Sequence, residues 1–274
     1  MINSVITNTE TASFNADKLL TNSVKTWFIT AVLGQWIFAA YVGLFYGGAT
    51  LNGDISQWNQ VMPHGYVEGD FIGNLAVGVH LLLAFIVLVA GPLQFIPQIR
   101  NKAPAFHRGL GRIYITTAFI LSIGGLFMVW TRGVVGSDIG KYSISINAIL
   151  IMAFASLAVY NAIKRKIKVH RRWAIRLFLV MGGVWFFRVG LMLWLMIHQA
   201  PVGFDPKTFT GPFLTFLNFA QYCLPLAFAQ LYFYAQDSNN TKVKTLTSIT
   251  IIILTLATLG GVIAASMGMW LPRF

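Results

Sequence analysis

The sequence predicts an all-α fold, a polytopic membrane protein whose seven transmembrane helices form a bundle with the N-terminus in the cytoplasm and the C-terminus outside. Three observations lead to this prediction. Of the 274 residues, 56% are hydrophobic and only 10% are charged, whereas a soluble domain has roughly 25% charged residues. Seven stretches are apolar enough to cross a bilayer, and the positive charges gather in alternate loops. Both features are typical of helical membrane proteins.

The predicted spans follow one another through short connections. Each contains about 20 mostly apolar residues, the length that an α-helix needs to cross a bilayer core of roughly 30 Å. The alternating strands of about ten residues that are typical of a membrane β-barrel are not visible in the sequence. The spans lie near residues 24–46, 71–96, 109–131, 143–163, 173–197, 212–235 and 245–266.

The two ends of the chain define the domain organisation. Residues 1–23 are polar and lack the basic start and apolar centre of a signal peptide, so we expect a flexible cytoplasmic tail. Residues 24–266 then form a single seven-helix membrane domain, and residues 267–274 form a short outer tail. No loop is long enough to fold as a separate soluble domain.

The formal net charge of +12 would suggest nucleic-acid binding in a soluble protein. Here the loops at 97–112 and 163–176 contain many Lys and Arg residues and no acid, whereas the loop at 47–70 contains three acids and no Lys or Arg. Basic loops favour the cytoplasmic side. We therefore expect a protein of the bacterial inner (cytoplasmic) membrane, with anionic lipid at the inner leaflet as a partner and no nucleic acid.

The second span carries His80 on a stripe of mostly small residues at helical spacing. Such a stripe marks the side of a membrane helix that packs on other helices, so we expect His80 to point into the bundle. A hydrogen-bonded core histidine and a ligand-binding histidine are both consistent with this position. The stripe contains Gly73, Val77, His80, Ala84, Val87, Gly91 and Gln94.

The third span begins with the stretch APAFHRGLGRIY. His107, Gly111 and Tyr114 fall on one face of the predicted helix, because their spacings are four and three residues. A glycine one turn above an imidazole leaves space for a flat group to lie against the helix. Arg108 and Arg112 form a neighbouring stripe.

The fifth span begins with a similar stretch, VHRRWAIR. His170 is followed one turn later by the small residue Ala174, and Arg172 and Arg176 flank this face. Because both helices enter from the predicted cytoplasmic side, the two histidines should lie at a similar height near the inner headgroups.

The two stretches together predict an inner-leaflet cluster that holds a planar, acidic ligand. In a haem b site, two neutral imidazoles bind the iron and Arg side chains pair with the propionates. A quinone, with His and Tyr contacts at its ring oxygens, is an alternative, and an anionic phospholipid headgroup or a topology signal alone would need only the basic residues. The predicted ligand-binding residues are His107, Arg108, Arg112, Tyr114, His170, Arg172 and Arg176, with His107 and His170 as ligands of a haem iron.

Arg188 lies in the middle of the fifth span, at the depth of His80. An arginine at mid-bilayer stays charged and costs at least about 2.5 kcal/mol, and no span contains a carboxylate to pair with it. We therefore predict a mid-membrane polar node of His80 and Arg188. The acceptors available to Arg188 are backbone carbonyls, a bound anion, aromatic faces such as that of Trp185, and the amide oxygens of Gln35, Asn147, Asn218 and Gln221.

Several classes of site are excluded by the sequence. Cys223 is the single cysteine, which excludes disulfides, CxxC zinc sites and covalent haem attachment through CxxCH. HExxH, Walker, GxGxxG and GxSxG motifs are absent, so hydrolase and nucleotide-binding functions have no support. Whether the protein is an enzyme stays open at this point.

The chain resembles a bacterial multi-pass family catalogued as domain of unknown function 2306. The resemblance rests on His80, the GPLQFIPQIR turn, HRGLGRIY, HRRWAIR and Arg188, and it covers roughly residues 70–235, so that the first and last spans look like additions. It implies no established activity. A fainter likeness is to cytochrome b561-type haem proteins, which pair several histidines across both leaflets. Because His80 has no second mid-membrane histidine, that likeness implies at most one haem, near the inner face.

Three functional hypotheses follow from the sequence. The first is a redox-type binding protein with haem b or quinone in the inner-leaflet cluster. The second is a small-anion or proton-linked carrier that uses Arg188 and His80, since a histidine titrates near neutral pH. The third is a non-catalytic accessory subunit of a larger membrane-protein complex, which would dock through its aromatic-rich spans.

Overall fold

The computed structural model describes residues 15–273 and confirms the all-α membrane fold. This part of the chain contains nine α-helices and a short 3₁₀ helix (Ile55–Gln60), and the first and last α-helices each continue into a π-helical segment. In chain order they are α1 (Ala16–Leu51), α2 (Phe71–Leu93), α3 (Pro97–Lys102), α4 (Pro104–Thr131), α5 (Ile139–Ile163), α6 (Ile167–Met181), α7 (Gly183–His198), α8 (Pro212–Asp237) and α9 (Thr241–Arg273).

Six of these helices are long and apolar enough to cross a membrane alone, whereas α6 and α7 meet that criterion only together, so the described residues have six spans, or seven if the pair counts as one. We call the α6–α7 pair the broken span. The sequence predicted one continuous helix over 173–197. Instead, the two halves meet at Gly182 and are bent by 56°. Adjacent glycines permit such a bend because no side chain stiffens or shields the backbone.

Both termini of the described chain are more helical than the sequence predicted. α1 begins at Ala16, inside the predicted tail of residues 1–23, because the Asn15 side chain accepts a hydrogen bond from the Lys18 N–H at 3.0 Å and caps the helix. α9 continues to Arg273, through most of the predicted outer tail. Residues 1–14 and Phe274, which belong to those predicted tails, lie outside the described residues.

The helices pack as a ring of neighbours. α1 contacts α2 and α9, α9 contacts α7, α7 contacts α8, and α8 contacts α6; α5 then joins α6 to α4, and α4 closes the ring on α2. α1, α7 and α9 approach one another closely, since Gly34 faces Trp185 and Val262 and Gly261 faces the backbone of Val189. Small residues permit this distance between helices.

The two ends of the bundle have different surfaces. The basic end contains residues 97–112 and 163–176, and the loop end contains residues 52–70 and 199–211. At the loop end, Arg132 fastens the first loop by donating hydrogen bonds to the carbonyls of His64 and Gly65 and to Asp70 at 2.6 Å. Trp58 of that loop is buried against Tyr46 of α1. The loop therefore covers the aromatic end of α1.

Candidate functional site

The broken span brings three amide side chains to the middle of the bundle. Asn147 of α5 donates a hydrogen bond to the Val180 carbonyl at 3.1 Å, just before the break. Gln35 Nε2 lies 3.4 Å from the point that a Cβ on Gly182 would occupy, and Gln221 Oε1 lies 3.5 Å from the corresponding point on Gly183. The glycines thus let polar groups from α1, α5 and α8 approach the backbone of the break.

Two of these amides have a carbonyl oxygen that accepts no hydrogen bond within the described residues. Gln35 Oε1 and Asn147 Oδ1 are buried and have no hydrogen-bond partner among the described residues. Gln35 is only 2% exposed, so bulk solvent does not reach it. Buried polar atoms are paired in most proteins, and an unpaired one points to a bound water, ion or ligand. The break therefore has unused hydrogen-bonding capacity.

Arg188 lies on α7, less than two turns beyond the break. Its guanidinium stands over the Phe38 ring at 5.2 Å and makes one hydrogen bond within the described chain, a long one of 3.3 Å to the Val184 carbonyl. A guanidinium has five N–H donors. Phe38 is the aromatic face that Arg188 meets, and none of the four amides considered from the sequence accepts a hydrogen bond from it.

Aromatic side chains form the rest of the surroundings of Arg188. Phe38 contacts Tyr41 and Trp270 with ring centroids 6.0 and 5.2 Å apart, and Tyr41 lies within electrostatic range of the guanidinium. The Tyr41 hydroxyl and the indole N–H groups of Trp185 and Trp270 are buried without a partner in the described structure. We name Gln35, Phe38, Tyr41, Asn147, Trp185, Arg188 and Trp270 the break site.

His80 lies apart from the break site. It faces α4, where its ring lies 3.7 Å from the point that a Cβ on Gly125 would occupy. Its Nδ1 is buried and unpaired in the described part of the chain, and no hydrogen bond joins it to Arg188. The structure does not unite the two residues in a single polar node, because they face different neighbouring helices.

The predicted inner-leaflet cluster is also divided, beginning with its α4 half. Tyr114 is buried against Gly91 of α2, with its ring 3.0 Å from the position of a Cβ there. Gln94 lies over Gly111, with Oε1 3.3 Å from the corresponding position. The space that Gly111 was predicted to leave for a flat ligand is therefore filled by α2. Arg108 and Arg112, the two arginines of the α4 half, are exposed.

The α6 half of the cluster turns its histidine and its arginines in different directions. His170 Nδ1 lies 2.9 Å from the Ala158 carbonyl of α5. Arg172 instead pairs with Asp237 of α8 at 2.6 Å, and Arg176 donates to Gln230 of α8 at 2.8 Å. The seven predicted ligand-binding residues therefore do not surround one cavity.

The two histidines of the cluster lie within electrostatic range of each other. His107 lies within electrostatic range of His170, Arg100 and Arg108. Its Nδ1 is buried without a hydrogen-bond partner among residues 15–273. The described residues contain no group of three or more His, Cys, Asp or Glu side chains that could hold a metal ion, so only a metal that brings further ligands with it suits this pair.

Comparison with known proteins identifies the family. The family model described as predicted membrane protein (DUF2306) matches residues 77–218, more than half of the chain. The chain belongs to the DUF2306 family. The DUF2306 segment carries His80, His107, His170 and Arg188, whereas α1 and α9 lie outside it. No significant match was found among curated proteins or among solved structures.

The break is the feature of this DUF2306 chain that the sequence analysis missed. The signal was present as Gly182 and Gly183 inside an apolar stretch, together with Gln35, Asn147 and Gln221 inside other spans. Paired glycines in a membrane helix are also common at close helix contacts. Only the contact between these glycines and the amides distinguishes a break from simple packing.

Proposed function

We propose that this DUF2306 protein binds an organic anion inside the membrane at the break site, and that it carries this anion across. The observation that supports the proposal is the Arg188 guanidinium, which stands over the Phe38 ring and makes one long hydrogen bond within the described residues. A charge in such surroundings is costly unless it is paired. A bound carboxylate or similar oxyanion would supply the missing acceptors.

The chemistry of the break site favours an anion with a flat, apolar body. Guanidinium groups bind oxyanions through paired hydrogen bonds, and the unpaired indole N–H groups of Trp185 and Trp270 can donate to further oxygens. The Phe38 ring beside the guanidinium gives a stacking surface. A few polar groups on an aromatic wall are typical of small-molecule sites.

The broken span supports transport of the anion rather than binding alone. In many secondary transporters the substrate lies near mid-membrane between half-helices whose free backbone groups face it. Here the 56° bend lies at Gly182, within the same span as Arg188. We further place the protein in the bacterial inner membrane with its basic end in the cytoplasm, on the strength of its charge distribution.

Binding can be tested with benzenesulfonate, an aromatic anion, and benzenesulfonamide, its neutral relative. Benzenesulfonate should raise the thermal unfolding temperature of the full chain in nanodiscs, and the sulfonamide should not. Arg188→Gln should raise the dissociation constant for benzenesulfonate by roughly tenfold or more, since a hydrogen bond to a charged group contributes about 1.5–3 kcal/mol. Lys207→Gln, the same charge change in an exposed loop, is the control.

Two further measurements separate a binding role from a structural one. Without ligand, Arg188→Gln should unfold at the same temperature as the parent or higher, because the substitution removes an unpaired charge. Liposomes that contain the parent protein or Lys207→Gln should take up labelled benzenesulfonate, and liposomes that contain Arg188→Gln should not. Equal uptake by all three, or a destabilised Arg188→Gln without ligand, would contradict the proposal.

A redox cofactor is the second candidate, and the electrostatic proximity of His107 to His170 favours it. The contact of His170 Nδ1 with the Ala158 carbonyl leaves Nε2 for a metal, and a haem b would supply electron transfer through its iron. The fit is partial. Arg108 and Arg112 are exposed and available for propionates, whereas Arg172 and Arg176 are bound to α8. The quinone alternative loses Tyr114, which is packed against α2.

The haem version predicts a coloured protein. Purified from haem-replete cells, the chain should show a haem absorption band that sharpens on reduction with dithionite, and His170→Ala should lose it. His198→Ala, which changes a histidine at the other end of the bundle, should retain the band. A colourless parent would exclude haem, and the anion-carrier proposal would be unaffected.

A further inference from the structure

A cleft of about 470 Å³ opens at the basic end, between α3, α6 and α8. Its charged lining comprises Arg100, Lys168, Arg171, Arg172 and Asp237. Neither His107 nor His170 is among its lining residues, so the cleft is separate from the proposed redox site. It is separate from the break site as well, since it lies at the end of the bundle and shares no residue with it.

The cleft has an excess of positive charge after its own ion pairs are made. Asp237 is its single acid and accepts from both Lys168, at 2.9 Å, and Arg172, at 2.6 Å. Arg100 and Arg171 have no ion pair within the described chain. Four cations against one carboxylate leave an excess of about three positive charges, which attracts an anion whose oxygens can accept several hydrogen bonds.

Arg172 carries a specific sign of unused binding capacity. Its side chain is 23% exposed and stacks on Phe233 at 5.1 Å, which fixes the plane of the guanidinium. Its Nε is buried and has no hydrogen-bond partner among residues 15–273. A donor held in place without an acceptor indicates that a ligand or water completes the group.

The wall beside these charges is apolar. Ile167, Ile175, Tyr232 and Phe233 line the same cleft, and Ile167 is 62% exposed. The cleft lies where α6 begins and α8 ends, at the height of the lipid headgroups in any arrangement in which these helices span the bilayer. A ligand here meets cations at one side and an apolar surface at the other.

We propose that this cleft binds the phosphate group of an anionic phospholipid, with the acyl chains lying along the apolar wall. Basic pockets between membrane helices suit such headgroups, because the charges lie at headgroup height and the chains stay in the bilayer. Topology alone requires basic residues at this end, but it requires neither a cleft nor an unpaired Nε. The source of the phosphate is a lipid rather than a free ion, since Ile167 and Ile175 give an inorganic ion nothing to contact.

The test uses the purified, delipidated full chain in mild detergent, with thermal unfolding and native mass spectrometry as readouts. Phosphatidylglycerol should bind and raise the unfolding temperature, whereas phosphatidylcholine and inorganic phosphate at equal concentration should not. The double variant Arg100→Gln, Arg171→Gln should weaken phosphatidylglycerol binding at least tenfold. Lys102→Gln, Arg165→Gln makes the same charge change outside the cleft and should alter binding less than twofold.

Each alternative outcome contradicts the proposal. Equal weakening in both double variants means that the basic end attracts lipid through its total charge and not through the cleft. Stabilisation by inorganic phosphate alone means a free-phosphate site. Because Arg100→Gln, Arg171→Gln leaves Arg188 unchanged, benzenesulfonate binding should persist in this variant, so failure here is distinguishable from failure of the carrier proposal.

Discussion

Arginine side chains in this protein differ in function according to the helix that faces them. Arg172 pairs with Asp237 of α8, which it shares with Lys168, and Arg132 pairs with Asp70 and fastens a loop. Among residues 15–273, Arg188 meets one carbonyl and one aromatic ring. The residue type and its span are visible in the sequence, but the partner that decides whether the charge is structural or free for a ligand is not.

The Arg132–Asp70 pair gives a prediction at the residue scale. Arg132 and the Gly73 N–H hold the pKa of the Asp70 carboxyl below its ordinary value of 3.8. A depressed pKa means that the pair stabilises the loop at pH values above 3.8 and that this stabilisation is lost as the pH falls through the lowered pKa. Asp70→Asn should therefore open residues 52–70 at neutral pH and have no further effect in strong acid.

The measurement is hydrogen exchange of the loop in detergent, compared at neutral and strongly acidic pH. Asp138→Asn, which removes an exposed carboxylate from a pair with Lys141 at the same end, is the control and should leave exchange in residues 52–70 unchanged. Equal exchange in Asp70→Asn and the parent at neutral pH would show that Arg132 fastens the loop through its carbonyl contacts alone.

At the scale of elements, the break site depends on how closely α1, α7 and α9 approach. Gln35 and Phe38 are one turn apart on α1, so the helix that brings an amide to Gly182 also brings an aromatic face to Arg188. This register holds only while α7 lies against glycines. Gly34 and Gly261 provide that surface, on α1 and α9 respectively.

A side chain in place of one of these glycines should therefore weaken the packing of α7 against α1 and α9. A Cβ on Gly261 would lie 2.5 Å from the Val189 carbonyl oxygen, a backbone atom that cannot turn aside. Gly261→Ala should destabilise the protein by about 1–3 kcal/mol, the usual cost of overpacking, and weaken benzenesulfonate binding by moving α7. Unfolding in mild detergent measures the first effect.

Gly124→Ala is the matched control for this substitution. A Cβ on Gly124 would meet no atom within 4 Å, so the change should alter stability by less than about 1 kcal/mol, the difference between glycine and alanine in a helix. If Gly261→Ala were as harmless as Gly124→Ala, the α7–α9 contact would not be the constraint that positions Arg188.

In the molecule as a whole, the break site is formed partly by the DUF2306 segment and partly by the helices that flank this segment. Residues 77–218 supply Asn147, the glycine break and Arg188. α1 and α9 lie outside that segment and supply Gln35, Phe38 and Trp270. The aromatic and amide surroundings of the guanidinium therefore depend on helices beyond the region that the family shares.

The orientation of the whole molecule gives a further prediction. Basic loops should lie in the cytoplasm, so a membrane-impermeant thiol reagent applied to intact spheroplasts should label Ser56→Cys at the loop end. It should not label Asn239→Cys at the basic end until the membrane is opened. Cys223 is exposed, so both variants are made in a Cys223→Ser background. Labelling of Asn239→Cys alone in intact cells would reverse the orientation.

The sequence by itself determined the class of fold, the six unbroken spans and the family. These follow from local properties, namely the length of apolar runs and the position of charges, that no tertiary contact can alter. The sequence also indicated that Arg188 needs acceptors, and it offered four amide oxygens that do not fill that role in the structure. It placed the helix ends less well, because the Asn15 cap inside a polar stretch was not recognised and the Gly182–Gly183 pair is distinguished only by the side chains that other helices bring to it.

Only the tertiary structure decided which polar groups meet. His107 and His170 were predicted to share a cavity with four arginines, but α8 binds Arg172 and Arg176 and α2 fills the space over Gly111. Spacing along one helix fixes which residues share a face, and it carries no information about the side chains that another helix brings to that face. The packing of the helices decides which side chains meet. It leaves Arg188 with N–H donors that have no acceptor among the described residues.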